Sequence, residues 1–446
     1  MAYLEKTNMI IFAMILTDQS ALNVANHGGT EMLYRKMKTT GDELSILGYG
    51  CMRLPRKGVG IDEERSIKQL RYAIDQGVNY LDTALLYPGS EALVGKALAD
   101  GYREKVKLAT KLPPFQVKNR EDMDKLLDVQ LQKLKTDHID YYLMHSISFS
   151  DWKKMKDLGI EDFIQKARAD GRIRHIGFST HNGLTDFKQI INDYTWDFCQ
   201  IQYNILDENN QAGKAGLQYA ASKGLGIVIM EPLRGGSLAR APPKEIQAIW
   251  DEADVKRSPV EWALRWVWDH PEVTVVLSGM NEESHIEENI RIAGEALPHS
   301  LSEKEMGLVN RVKDAYRKRL KVGCTGCQYC IPCPAGVNIP ACFESYNNKY
   351  LGNPMQAKVM YMIHLGGGLD GSGHKGYASQ CINCGKCVKK CTQHIDIPKE
   401  LKQTSRELEG LDMKAIRLAF KPVFGTVMGI SRWSNMRKAR SKKSKN

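Results

Sequence analysis

The sequence predicts an α/β protein, a closed (β/α)8 barrel followed by a smaller, mainly helical cysteine-rich domain. Three observations carry this. Short apolar runs alternate with amphipathic helical runs from about residue 40 to 295, and strand-then-helix units can be counted eight times. The first seven runs are rich in Val, Ile, Leu and Tyr and bounded by Gly, Asn or Asp, as parallel strands buried on both faces should be. Two four-cysteine runs come after the last unit. A doubly wound sheet is the alternative, with five or six strands as its usual number.

In order, the strands are expected at Ser45–Cys51, Asn79–Thr83, Val106–Lys111, Ile139–His145, His175–Thr180, Phe198–Tyr203, Gly226–Glu231 and Val273–Ser278. Helical spacing fills the gaps, for instance Ile67, Leu70, Ala73 and Ile74, or Leu126, Leu127, Val129, Leu131 and Leu134. After Pro298 a helical stretch, Ser302 to Leu320, leads into the cysteine region. Between the cysteine runs, Gly366-Gly367-Gly368-Leu369-Asp370-Gly371 formally matches a nucleotide-loop pattern. It comes after no β-run, so it reads as a linker.

The chain has 446 residues, 42% hydrophobic and 26% charged, ordinary values for a soluble globular protein. The net charge of +11 invites a nucleic-acid reading, but its location argues against one. Residues 413–446 hold ten Lys/Arg and no Asp/Glu, which leaves the rest near neutral. Such a tail is normally solvated. Leu418, Phe420 and Trp433 among its charges leave a weak membrane-surface contact open. No apolar run reaches the roughly 18 residues of a spanning helix. Met9 to Leu16 is apolar behind Lys6, but Glu5 sits in the charged stretch and no twin-arginine signal is present. The expected organisation is a loose extension at 1–31, the barrel at 32–300, the cysteine domain at 301–410 and the basic tail at 411–446. The expected compartment is the reducing cytoplasm.

The first cysteine run is Cys324, Cys327, Cys330 and Cys333, each separated by two residues and followed by Pro334; the second is Cys381, Cys384, Cys387 and, after three more residues, Cys391. Thiolates at this spacing wrap a 4Fe–4S cluster, and the fourth cysteine of each run can reach the other cluster. Structural zinc needs only pairs, and a disulfide framework belongs to small secreted domains. The best assignment joins Cys324, Cys327, Cys330 and Cys391 on one cluster and Cys381, Cys384, Cys387 and Cys333 on the other, with a single cluster as the alternative. Cys51, Cys199 and Cys342 read as buried thiols.

In a barrel of this kind chemistry sits at the C-terminal ends of the strands. Asp82 ends the second expected strand, Tyr87 comes next in the loop, Lys111 ends the third and His145 ends the fourth. Together they suit carbonyl reduction. A phenol donates a proton to the carbonyl oxygen, an ammonium lowers its pKa, a carboxylate holds the ammonium, and an imidazole donates to the same oxygen or relays protons.

These motifs make the sequence resemble the aldo/keto reductase family. The resemblance rests on Gly48-Tyr49-Gly50, Leu81-Asp82-Thr83-Ala84 with Tyr87, Thr110-Lys111, Met144-His145-Ser146, Gly177-Phe178-Ser179, Gln200-Ile201-Gln202-Tyr203-Asn204, Pro232-Leu233-Arg234-Gly235-Gly236, and Ser278-Gly279 with His285 and Asn289. The cysteine region is similar to a subgroup fused to a 4Fe–4S ferredoxin-like domain. The resemblance implies a TIM barrel, with Asp82, Tyr87, Lys111 and His145 as the catalytic tetrad. It implies that Ser179 and Gln200 hold the nicotinamide carboxamide, that Leu233 to Gly236, with Leu233 and Gly235 named as cofactor contacts, surrounds the pyrophosphate, and that Asn289 contacts the adenine side. Met230 replaces an aromatic ring common against the nicotinamide, Thr180 an asparagine, and Thr392 a proline. Glu282 stands where a cation often meets the 2′-phosphate of NADPH, so NADPH and NADH remain equal expectations.

The expected activity is a nicotinamide-dependent oxidoreductase reducing an aldehyde or ketone, or running the reverse alcohol oxidation. One or two 4Fe–4S clusters would exchange electrons with a redox partner protein. Hydride moves two electrons together and clusters move one, so coupling the two needs a splitter such as a flavin, for which no motif is visible. The alternative is a redox-sensing or electron-transfer protein whose barrel binds cofactor without turnover.

Overall fold

A computed structural model describes residues 31–58, 60–351, 353–366 and 375–410. The expected extension, the basic tail and most of the glycine-rich linker lie outside the described residues. All the elements named below belong to the unit that begins at Met32.

Eight parallel strands close a barrel: β1 (Leu47–Gly50), β2 (Tyr80–Asp82), β3 (Lys107–Leu112), β4 (Ile139–Met144), β5 (Ile173–Ser179), β6 (Phe198–Gln202), β7 (Gly226–Met230) and β8 (Val275–Ser278). Neighbours in sequence are neighbours in space, and β8 closes on β1 through Val276↔Leu47 and Ser278↔Tyr49. Each strand falls within or beside a predicted run, and the sheet is closed, as expected. Helices between the strands cover the outside and bury Trp152, Trp262 and Trp266 against it.

The inside reflects the two-residue period of a strand. Tyr80, Ala109, Tyr141, Leu143, Phe198, Val228 and Val275 form one interior cluster. At Gly177 the chain must pass close to β6, because a Cβ there would lie 2.5 Å from the Phe198 ring. A short antiparallel hairpin, Tyr34–Lys36 with Glu43–Ser45, brings Met37 and Leu44 into the same cluster and plugs the N-terminal end. Continuing the inward period toward the C-terminal ends reaches Asp82 two residues after Tyr80, Lys111 after Ala109, His145 after Leu143, and Gln200 after Phe198. The fold thus turns an apolar interior ladder into polar residues at one rim.

The helix Glu303–Arg319, capped by Ser302 with a reciprocal bond to Glu305, packs Leu308, Val309, Val312 and Tyr316 into the barrel's outer core. The packing boundary therefore falls near residue 320, not at 300 as expected, because an amphipathic stripe does not reveal which core it joins. Beyond it, helices Ile339–Leu351, Pro354–Leu365 and Ile397–Leu408 share a second core of Phe343, Tyr346, Tyr361, Ile397 and Leu401. Cys324, Cys330, Cys333, Cys381, Cys387 and Cys391 pack on its edge. Among the described residues no strand lies beyond 320, and no helix is long and apolar enough to cross a membrane.

Candidate active site and cysteine sites

At the rim, Lys111 is buried and donates to both Asp82 oxygens at 2.6 Å and to the Thr83 carbonyl at 2.8 Å. Its Nζ lies 5.2 Å from the centroid of the Tyr87 ring. The His145 ring stands perpendicular to Tyr87, with centroids 6.0 Å apart. Burial raises the Asp82 pKa despite Lys111. Burial holds His145 well below its ordinary value, with Lys111 and His181 adding to the effect, so the imidazole is neutral at pH 7.

One expectation is corrected here. Lys111 was to lower the Tyr87 pKa, but in the cleft Tyr87 is raised well above 10. Desolvation dominates, and Asp82, Cys51 and Glu231 add to it. Lys111 is ion-paired with Asp82. Tyr87 therefore stays protonated, the form a proton donor requires.

Asp82, Tyr87, Gln200, Leu233, Gly235 and Asn289 line one cleft of about 450 Å³ at this rim. Lys111 and His145 stand behind it. Gln200 donates to Met230 Sδ at 3.7 Å, while its Oε1 is buried with no partner, an orphan acceptor of the kind a carboxamide N–H would satisfy. Ser179 does not line the cleft. Its hydroxyl accepts from the Ser146 N–H at 2.8 Å and donates to the Met144 carbonyl at 3.5 Å. Asn289 donates to Ser278 Oγ at 2.7 Å. At the far end Arg65 pairs with both Glu282 and Glu283. Glu282, at the position where a cation often meets the 2′-phosphate, is thus ion-paired.

The run cysteines neighbour one another across the two runs. Burial, then the neighbouring Cys327 and Cys391, push Cys324 up to about 11. Burial, then Cys324, Cys327 and Cys391, push Cys330 up to about 12. Cys387 is raised by burial, then by Cys381, Cys333 and Cys384. Cys391 thus neighbours Cys324 and Cys330 of the first run, and Cys333 neighbours Cys387 of the second. Cys333, Cys381, Cys384 and Cys387 line a cavity of about 310 Å³ together with Cys330. Eight soft thiols neighbouring one another in this way fit iron–sulfur clusters, whose irons would keep such thiols deprotonated. Cys51, Cys199 and Cys342 are buried.

Sequence reasoning missed how the two domains meet. Tyr329, between Cys327 and Cys330, enters the barrel cleft, and Cys327 lines the same cleft. Tyr329 Oη lies 3.4 Å from His145 Nε2. Arg53 donates to the Gly235 carbonyl at 2.6 Å and the Gly326 carbonyl at 3.3 Å, tying the glycine loop to the first cysteine run. A Cβ at Gly235 would meet the Thr325 carbonyl at 2.1 Å. From the second run, the Thr392 carbonyl accepts from Gln211, and Gln393 accepts from Asn210. An aromatic inside a cysteine run was the one available signal, and spacing alone could not say where it points.

Comparison with known proteins agrees with this geometry. The profile of the aldo/keto reductase family matches residues 46–314, and that of the 4Fe–4S dicluster domain matches residues 323–397. A probable aldo-keto reductase 1 of Glycine max is 25% identical over 311 residues, covering 61% of this chain and 86% of its own. An L-galactose dehydrogenase of Arabidopsis thaliana is 26% identical over 290 residues, covering 58% and 88%. The holo form of aldo-keto reductase AKR11C1 from Bacillus halodurans superposes with a TM-score of 0.54 at 27% identity, covering 63% of this chain and 96% of that one. The chain belongs to the aldo/keto reductase family, as an oxidoreductase barrel joined to a 4Fe–4S dicluster domain.

Proposed function

We propose that the barrel reduces a small aldehyde or ketone with NADPH or NADH, or runs the reverse oxidation, and that Tyr87 is the proton donor. The observation that carries this is the convergence of Tyr87, neutral His145 and the buried Lys111–Asp82 pair on one cleft that also holds the orphan Gln200 Oε1. When bound, the nicotinamide cofactor supplies the hydride. Gln200 orients its carboxamide, the Leu233 and Gly235 loop tracks its phosphates, and Asn289 meets its far end. Tyr87 gives its proton to the carbonyl oxygen, and His145 Nε2–H donates to the same oxygen. Lys111 holds the Tyr87 ring in place and shuttles no charge to it in the free enzyme.

In the cysteine domain, Cys324, Cys327, Cys330 and Cys391 would hold one cluster, and Cys381, Cys384, Cys387 and Cys333 the other. When bound, the clusters supply one-electron exchange with a redox partner protein. Tyr87→Phe tests the barrel reading. Carbonyl reduction should fall by at least about 10²-fold with nicotinamide affinity retained. Unchanged turnover would remove Tyr87 from the reaction.

A further inference from the structure

Tyr329 is the residue that the barrel chemistry leaves unused and that the cysteine domain places inside the cleft. It is carried between two thiols of the first run, Cys327 and Cys330, yet its hydroxyl lies 3.4 Å from His145 Nε2. Its ring stands nearly edge-on to His181, with centroids 5.7 Å apart. His181 is buried and lines the cleft beside Tyr87.

The hydrogen bonds around this pair leave unspent capacity. Gln211 donates its amide N–H to the Thr392 carbonyl at 3.1 Å, which turns its oxygen toward His181. His181 Nδ1 lies 3.2 Å from that oxygen and so carries the proton. His181 Nε2 is then an acceptor. His145 Nε2–H donates to Tyr329 in the free cleft and turns to the carbonyl oxygen when substrate binds; in both states the Tyr329 O–H is left to donate. Tyr87 and His145 together satisfy one carbonyl oxygen. Tyr329 and His181 are a donor and an acceptor more than that oxygen needs.

We propose that Tyr329 and His181 form a second polar contact of the substrate site, built jointly by the barrel and both cysteine runs, and that the substrate it selects is a small carbonyl compound bearing a hydroxyl on the adjacent carbon. The hydroxyl accepts from Tyr329 and donates to His181 Nε2, while the carbonyl oxygen meets Tyr87 and His145. The proposal rests on the carbonyl-reducing reading above. A pocket that hydrogen-bonds a substrate hydroxyl discriminates strongly against the analogue lacking it, because its own polar groups are then left unpaired.

The test uses the full chain with its clusters loaded anaerobically, and two ketones of near-equal size, hydroxyacetone and butanone. Wild type should prefer hydroxyacetone in kcat/KM by about 10²-fold or more. Tyr329→Phe keeps the ring and removes the hydroxyl. It should cut that preference at least tenfold, because kcat/KM falls much further for hydroxyacetone, mainly through KM, than for butanone, with the cluster electron-spin-resonance spectrum unchanged. Calorimetric titration of hydroxyacetone into the cofactor-free protein should weaken by a similar factor. An unchanged preference, or unchanged calorimetric affinity, overturns the proposal. If neither ketone is turned over by wild type, the reductase reading fails for ketones, and the calorimetry still decides the role of Tyr329. If Tyr329→Phe loses its clusters, His181→Leu, outside the cysteine runs, carries the same comparison with the same expected loss.

Discussion

Lys111 Nζ is clasped between both oxygens of Asp82, at 2.6 Å each, in a site from which water is excluded. Breaking a buried ion pair from one side strands the other charge, whereas replacing both partners with apolar groups is often close to neutral. Lys111→Met should therefore destabilise the fold by about 3–5 kcal/mol. The double variant Lys111→Met with Asp82→Leu should recover most of that in thermal unfolding and none of the turnover. Additive losses of stability would show that the pair is not coupled as described.

Gly235 and Gly236 make an internal control for the docking of the two domains. Both have a positive φ, +68° and +94°. A Cβ at Gly235 collides with the Thr325 carbonyl, while at Gly236 it meets nothing within 4 Å. Gly236→Ala should cost about 1 kcal/mol, the backbone term alone. Gly235→Ala should cost more, about 2–3 kcal/mol, and should speed protease cleavage near the first cysteine run. Equal effects in denaturant unfolding would argue against the close approach.

The exchange of fourth ligands between the cysteine runs can be read from iron content. Cys391→Ser combined with Cys324→Ser should damage one cluster only and leave about half of the iron, if each quartet binds one cluster of four irons. Cys391→Ser combined with Cys381→Ser should damage both. The opposite ranking would assign Cys391 to its own run.

Glu407 gives the cysteine domain an acid-sensitive clasp. It accepts from Lys349 at 2.7 Å, Gln403 at 2.8 Å and Tyr346 at 3.0 Å, and also from Tyr350. Burial opposes ionisation, but these donors outweigh it and hold Glu407 at about 2. A depressed carboxylate contributes stability that is full above its unfolded value, near 4.5, and is lost as pH falls toward 2. Its side chain is 22% exposed, so the contribution is on the order of 1–2 kcal/mol. Glu407→Gln should lower stability at neutral pH by that amount and flatten the acid dependence in this window. An unchanged acid profile would remove Glu407 from it.

The strands were legible because each is a short apolar run between turn residues, and their ends carried Asp82, Lys111 and His145 to the rim by the two-residue period alone. The short pairs Tyr34–Lys36 with Glu43–Ser45, and Arg56–Lys57 with Gly60–Ile61, were not legible, since two or three residues make no period. That the cysteine runs belong to a 4Fe–4S dicluster domain was legible from spacing. The contacts between domains were not. Tyr329 and His145 lie 184 positions apart, and Arg53 and Gly326 lie 273 apart. No local pattern encodes such a meeting. Nor could spacing show that desolvation, not the ammonium, governs Tyr87.

If Tyr87, His145 and the Lys111–Asp82 pair make a working carbonyl reductase beside a cluster-bearing domain, hydride must leave the nicotinamide only when a carbonyl is there to take it. Nicotinamide absorbance and the cluster band can be followed together, in anaerobic, cluster-loaded protein given NADPH or NADH with a panel of small aldehydes and ketones. Nicotinamide oxidation should need a carbonyl acceptor, match it one for one, and be lost in Tyr87→Phe. No carbonyl-dependent oxidation across the panel, with the cluster band bleached by nicotinamide alone, would contradict this and make the barrel an electron-entry module instead.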